Sequence, residues 1–542
     1  MNKLISLQKL WNSTIKKIGL FFKIPGLDYE QPLDFPFARS DIAMLYHIAK
    51  GDAARHIDEH TAKDMLLDAY ADKLTAGSSI FAQQIIHKRL REGAQGKHDK
   101  QGKQRLQQLL AEPVLLDTLQ QHCRPLRGVE TEVSEQIFTD VIPVPAAWHK
   151  FMWMLPVSMG TLLVLALTSL APAWIAVLLV WMILLAVQTR YHDAVTQWAK
   201  KVQALQALLR SFELLLEHCP QDAQAPAADR QTANKMLAEL RRHKLVLLPG
   251  MREYTDWLLL DNVRHFFKTS ILVRKNQDFL RRVYTHVANL EADLTLARHL
   301  QSLTQYCWSS ASDKKQLCMQ QVVHPMLAQA TALDIRLEGR GAFISGQNGI
   351  GKSTLLRTLG LNLIVARAFG FCYAASASVP MAAVYSSMQS EDSLIANESL
   401  YQAELRRAKE LLDIAESDTQ AVFIIDEIFR GTNHQESISA AAAVLQSLAS
   451  ANMVIVSSHN LVLAPILAAY LTPLCVTAEQ DELSRLQLNE GVLADPNGIR
   501  LLGTYGFGDD IKNKASRVFD WLSDYLKHPD KCEQILENRP LS

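Results

Sequence analysis

The sequence predicts an α/β domain built on a mostly parallel sheet, preceded by an all-α region that carries a membrane-spanning helical hairpin. Three observations carry this. Residues 151–189 contain no charged side chain. From residue 331 onward, short apolar strands alternate with helices. A glycine-rich phosphate-loop pattern joins the first of those strands to the helix after it.

The chain's 542 residues suit three or four domains of about 150 residues each. With 48% apolar and 21% charged residues it is neither disordered nor fibrous. Lys plus Arg number 56 and Asp plus Glu 56, which excludes nucleic-acid binding by bulk positive charge and leaves only a local patch. The seven cysteines form no C-x-x-C pair, which argues against a zinc ribbon or a disulfide framework and fits a reducing compartment.

Residues 1–59 are an N-terminal segment. Residues 3–24 carry Lys3, Lys9, Lys16, Lys17 and Lys23 and no acid, with Leu4, Leu7, Trp11, Ile15, Ile18 and Phe22 near helical spacing. Two readings stand side by side: a helix lying in an anionic membrane surface, or one packed on the protein. The apolar patch around Ile18 to Phe22 is too short for a secretory signal. Residues 60–150 read as the first part of a helical region. Asp64, Asp68 and Asp72 recur at i+4 there, as one solvated face, and residues 95–106 read as a loop or an exposed helix start.

The uncharged run 151–189 lies between Lys150 and Arg190. As one straight helix it would be about 58 Å long, twice the hydrocarbon core. Pro172 lies near its middle, so two helices of roughly 17–20 residues with a turn at Pro172 are expected. Trp153, Trp174 and Trp181 suit interfacial anchoring, and Lys150, Arg190, Lys200 and Lys201 mark the cytoplasmic side. Residues 190–330 return to amphipathic helix, with a linker at Pro220 to Ala227 and basic clusters that read as solvated faces.

The α/β domain spans 331–528, followed by a tail at 529–542. Strands are expected at Gly341 to Ser345, Ala382 to Ser386, Ala421 to Ile425 and Met453 to Val456. Helices are expected at Lys352 to Phe369 and Glu398 to Glu416. Residues 484–502, turning at Asp495-Pro496-Asn497-Gly498, read as a terminal β-hairpin.

Gly346-Gln347-Asn348-Gly349-Ile350-Gly351-Lys352-Ser353-Thr354 satisfies G-x-x-x-x-G-K-[ST] between strand and helix. The glycines let backbone N–H groups close around phosphate oxygens at a helix N-terminus. Lys352 is expected to reach the β- and γ-phosphates of ATP, and Ser353 to ligate Mg²⁺. The domain is thus expected to be a phosphate-loop nucleotide hydrolase. Asp426 and Glu427 follow a buried strand at the carboxyl edge of the sheet, where ligands bind in such folds. Asp426 suits Mg²⁺ and Glu427 suits the catalytic base. His459, after the strand Met453 to Val456, lies beside the γ-phosphate region in this topology, suited to sensing phosphate or orienting water.

Asp426-Glu427-Ile428-Phe429-Arg430-Gly431-Thr432 resembles the D-E-x-x-R-G-T segment of the MutS family of mismatch-repair ATPases. His324-Pro325, the phosphate loop, Ser399-Leu400-Tyr401-Gln402-Ala403-Glu404, Ser457-Ser458-His459 and Thr504-Tyr505-Gly506 resemble that family's other motifs, in the family's order. The resemblance covers roughly 320–525 in detail and 60–300 weakly. It implies an ABC/MutS-like ATPase domain preceded by lever and core helices. It implies a homodimer through the ATPase domain, with composite sites where Ser399 approaches the γ-phosphate held by the other subunit's Lys352. Arg430 and Thr432 would hold the loop coupling the sites. It links the chain to mismatched-DNA binding and repair. No F-x-E mismatch-reading motif is found, so the chain resembles a membrane-anchored branch lacking that domain, in the inner (cytoplasmic) membrane of a bacterium-like cell with the ATPase domain cytoplasmic. Two functions are weighed: a membrane-tethered ATPase acting on DNA, and a membrane-bound ATP-driven switch or scaffold without direct DNA contact. A transporter ATPase would need an L-S-G-G-Q-like signature between Lys352 and Asp426, and none is present.

Overall fold

The computed structural model describes residues 35–49, 56–93, 97–168, 172–218, 227–242, 251–313, 315–328, 330–388, 400–416, 420–479, 482–493, 498–504 and 507–525. The N-terminal amphipathic segment, the Pro220 linker, Ser399, the Asp495 turn, Tyr505-Gly506 and the tail 529–542 lie outside them. The chain divides into two compact units, one of Met1–Ile42, Gly77–Ala82 and Asp117–Glu291, the other of Ala43–Ala76, Gln83–Leu116 and Ala292–Ser542.

The described part of the first unit is helical. Helix Ala173–His218 has 46 residues, about 69 Å of continuous rod. Its beginning is apolar on all sides and exposed, as at Trp174, Ile175 and Leu178. Beyond Arg190 it becomes amphipathic and buries Trp198, Leu205, Leu208, Leu209 and Phe212. Against that stripe pack helices Ala227–Leu240 and Asp261–Lys275, and Trp198 Nε1 donates to Thr269 Oγ1 at 2.8 Å. The expected boundary at residue 190 is therefore no break in the backbone: one helix carries both patterns.

Two spanning helices were expected. Among the described residues, one helix is long and apolar enough to cross a bilayer. Its neighbour, Met154–Leu167, has 14 residues, about 21 Å against a hydrocarbon core of about 30 Å. Pro156 explains the late start. A proline is accepted in the first turn of a helix but not within it, so residues Ala147–Phe151 form a 3₁₀ turn instead.

The second unit holds the sheets. The larger has six strands in the order Glu482–Glu490, Leu471–Glu479, Gly341–Gly346, Met453–Ser457, Ala421–Asp426 and Ala383–Ser387. All neighbours are parallel except the first pair. Phe423, Ile425, Val454 and Val456 pack with Leu445 and Leu448 of helix His434–Ala451 on one face. Ile424 points to the other, where Gly360 of helix Lys352–Phe369 lies so near that an added Cβ would stand 3.0 Å from it. A glycine there lets helix and strand meet closely.

Several expectations are corrected. The terminal hairpin pairs Leu471–Glu479 with Glu482–Glu490, one strand earlier than expected, and Gly498–Thr504 is helical. Pro473 disguised the first of these strands; it precedes the antiparallel pairing, which begins at Leu474. Helices end at Ser302 rather than near 330. A four-stranded sheet follows, ordered Ser310–Ala311, Ser376–Val379, Gln316–Val322, Leu333–Glu338. Its last strand alternates buried Leu333, Ile335 and Leu337 with exposed Asp334, Arg336 and Glu338, a period of two that marks a half-buried strand. For residues 95–106 the helical alternative holds: a helix runs Lys97–Ala111. The three aspartates do not share a solvated face: the helix breaks at Met65 and Leu66, and Asp64 is buried while Asp68 and Asp72 are exposed.

Candidate functional site

The site lies at the carboxyl edge of the six-stranded sheet, where three adjacent strands end together. Gly341–Gly346, Met453–Ser457 and Ala421–Asp426 are apolar and buried, so each runs through the core and releases its polar residues only at its end. Register places Ser457 opposite both Asp426 and Ile344.

The phosphate loop leaves the first of these strands. Gly349 has φ +78° and Gly351 φ +98°, both in the left-handed region that other residues enter only at a cost of about 1–2 kcal/mol. These turns deliver Lys352 and Ser353 to the first turn of helix Lys352–Phe369. Lys352 is buried, and its Nζ donates to the carbonyls of Gly346 at 3.0 Å and Gln347 at 3.2 Å. The ammonium is folded back over its own loop. Burial pushes its pKa down, while the carboxylates of Glu427 and Asp426 pull the other way.

Asp426 accepts hydrogen bonds from two hydroxyls, Ser353 Oγ at one oxygen and Ser457 Oγ at the other. Glu427 turns away in the left-handed conformation, at φ +55°, and Phe429 repeats it at φ +56°. Backbone strain of this kind costs on the order of 1–3 kcal/mol per residue and persists only where the surroundings over-determine it. Here they do. Glu427 N donates to Ser457 O at 3.0 Å, and Ser437 Oγ donates to Phe429 O. The Glu427 carboxylate meets His459 Nε2 at 2.8 Å and Arg430 Nη1 at 2.8 Å. The hydrogen bond from His459 holds its pKa below the usual carboxylate range, with help from the charges of Arg430 and Lys352 and against burial.

The expected residues Lys352, Ser353, Asp426, Glu427 and His459 thus come together, and Gly346, Gln347, Asn348, Gly349, Ile350, Gly351 and Thr354 form the loop and helix start beside them. Thr432 Oγ1 donates to Glu436 Oε2 at 2.7 Å, fastening the far end of the Glu427 loop. Two participants were named from the sequence only as members of family-like motifs, without a role of their own. Ser457 holds Asp426 from the end of the neighbouring parallel strand. Glu404 holds the Glu427 loop.

The donor set fits Mg²⁺ with a nucleotide triphosphate. Ser353 and Asp426 already converge as a hydroxyl–carboxylate pair of oxygens, the hard donors Mg²⁺ takes. Among the described residues, the Lys352 ammonium donates to carbonyl oxygens of its own loop, a pairing that phosphate oxygens can replace. Ser353 and Asp426 would hold the ion, which supplies charge neutralisation on the phosphates.

Residues 342–522 match the family described as MutS domain V. The chain is similar to endonuclease MutS2 of Thermus thermophilus, 34% identical over 128 residues, 23% of this chain and 17% of that protein. It is similar to the DNA mismatch repair protein msh3 of Aspergillus clavatus, 29% identical over 180 residues, 31% of this chain and 16% of that protein. It is also similar to the DNA mismatch repair protein MutS of Lactobacillus delbrueckii, 26% identical over 241 residues, 42% of this chain and 27% of that protein. The chain therefore spans between a sixth and about a quarter of the length of these relatives.

Proposed function

We propose that this chain, whose residues 342–522 match MutS domain V, is a membrane-anchored ATPase that hydrolyses ATP at composite sites of a homodimer. The observation that carries the chemistry is the convergence of Lys352, Ser353, Asp426 and Glu427 at one sheet edge. Lys352 swings from its carbonyl partners onto the β- and γ-phosphates. Asp426 and Ser353 would hold Mg²⁺, which would neutralise charge on the phosphates. Glu427, ionised and steered by His459 and Arg430, accepts the proton of the attacking water. Ser399, in the residues just before helix Leu400–Ala415, contacts the γ-phosphate bound by the other subunit. Co-expressed Ser399→Ala and Lys352→Ala chains then regain activity in mixed dimers, because one site keeps both lesions and the other none; absence of rescue in verified mixed dimers removes the trans contact.

Membrane attachment is supported by the exposed apolar start of helix Ala173–His218 and the apolar helix beside it. Under this reading Ala171→Cys, in an otherwise cysteine-free chain, reacts with an impermeant thiol reagent from outside intact cells. Labelling only after lysis contradicts it.

The names of the relatives connect them with DNA mismatch repair, and a DNA-linked role is proposed here on that likeness. The balanced charge favours a second reading, a membrane-bound ATP-driven switch without DNA contact. ATPase rates of the detergent-solubilised protein with homoduplex, mismatched and branched DNA separate the two: salt-dependent stimulation supports the first, and indifference to all three supports the second.

A further inference from the structure

Helix Leu400–Ala415 touches the catalytic loop through Glu404 and Tyr401 and is moored at the sheet edge through Arg407. Glu404, in its second turn, accepts the backbone N–H of Arg430 at 2.9 Å and of Gly431 at 3.3 Å on the same oxygen, Oε2. Its other oxygen stands 4.0 Å from Arg430 Nε. Arg430 in turn holds Glu427. One helical turn later, Arg407 is buried. It donates to Ser386 O through Nε at 3.0 Å and Nη2 at 2.6 Å, and to Asp58 Oδ2 at 2.8 Å. The helix therefore cannot slide without breaking bonds at the edge strand Ala383–Ser387. Tyr401 closes the same contact, its ring edge-to-face on Phe429 at 6.0 Å.

We infer that Glu404 is a positioning residue for the catalytic base, setting Glu427 through the Arg430–Gly431 backbone, with Arg407 anchoring the helix that presents it. This rests on Glu427 being the base. It also gives the helix whose preceding residue is Ser399 a direct mechanical hold on the base of its own subunit.

The test uses the full-length, detergent-solubilised protein, with ATP turnover and binding of a fluorescent ATP analogue measured separately. Glu404→Ala lowers kcat about 10- to 100-fold, the cost of misplacing a reacting group by an ångström or less, with nucleotide affinity retained. Glu404→Gln keeps an acceptor oxygen for both N–H groups and retains most of the parent kcat. Glu404→Asp keeps the charge but loses reach, behaves like the alanine variant, and carries the test should the latter not fold. Parent kcat in Glu404→Ala or Glu404→Asp overturns the inference, as does joint loss of kcat and nucleotide binding in both. Glu427→Gln is run alongside. If it turns over at the parent rate, the assignment of the base fails; if it is silent while Glu404→Ala is unimpaired, only the role of Glu404 fails.

Discussion

Replacing Gly431 by alanine isolates the geometry of the catalytic loop from its chemistry. A Cβ at Gly431 would lie 2.6 Å from Tyr401 N, 2.8 Å from Tyr401 Cβ and 2.9 Å from Tyr401 Cα. Two of these atoms are backbone, in a helix held at the sheet edge by Arg407, so the neighbour cannot yield by changing rotamer. To reach the 3.4 Å of ordinary van der Waals contact, the loop must retreat by about 0.8 Å. That displacement sits one residue from Arg430, which grips Glu427 at 2.8 Å. Misplacing a reacting group by about 1 Å costs on the order of 100-fold, so kcat for ATP falls by tens- to a hundredfold. Gly431 is not one of the phosphate-loop residues Gly346 to Thr354, so ATP affinity is expected to be unchanged. Steady-state phosphate release measures the first quantity and equilibrium binding of a fluorescent ATP analogue the second. A Gly431→Ala enzyme with parent kcat would refute the claim that this loop positions the base.

Three further outcomes are expected. Lys352→Ala weakens ATP binding by about 10- to 100-fold, the worth of a charge-assisted contact of about 1.5–3 kcal/mol, and parent affinity in a direct binding assay contradicts it. Asp64→Ala strips the partner from Ser386 Oγ, at 2.6 Å, and from the N–H of Met388, at 2.9 Å; each orphaned buried donor costs about 1–3 kcal/mol, so thermal unfolding moves to lower temperature, and an unchanged midpoint contradicts the pairing. Glu291 is buried, and burial raises its pKa from 4.5 to about 7 against the hydrogen bonds from Ser79. A carboxyl whose folded pKa is raised stabilises least when ionised, so its contribution is lost as pH rises from about 4.5 to 7, on the order of 3 kcal/mol. Glu291→Gln flattens that slope in unfolding melts taken between pH 5 and 8, and a slope identical to the parent contradicts the assignment.

The phosphate loop, the acid pair and the strands that carry them were legible because each is local. A glycine spacing, an apolar run and the acids after it all lie within a few residues of one another. What was not legible depends on residues far apart in the chain. Asp64 reads as one of three acids at helical spacing, yet it is buried against a strand more than 300 residues away. Glu404 closes the motif Ser399–Glu404 in the sequence, but its partners, the N–H groups of Arg430 and Gly431, show only once the loop is folded onto it. Pro473 argues against a central strand, yet it stands opposite Phe343 in the parallel ladder and ahead of the antiparallel one. Pro156 acted in the opposite direction: it shortens a helix that composition alone would extend to Phe151. The apolar run 151–189 shows where the chain is lipid-compatible, but the backbone continues unbroken into the amphipathic region because nothing near Arg190 stops a helix.

Under the proposed function, Glu427 activates water at a site built by Lys352, Ser353 and Asp426. Single-turnover hydrolysis of ATP by Glu427→Gln, with nucleotide binding measured on the same preparation, tests it most directly. The substitution keeps the size of the side chain and removes its basicity. Parent-like ATP binding is expected, with hydrolysis slowed by about 100- to 10,000-fold, the usual contribution of a general base. Hydrolysis at the parent rate would contradict it.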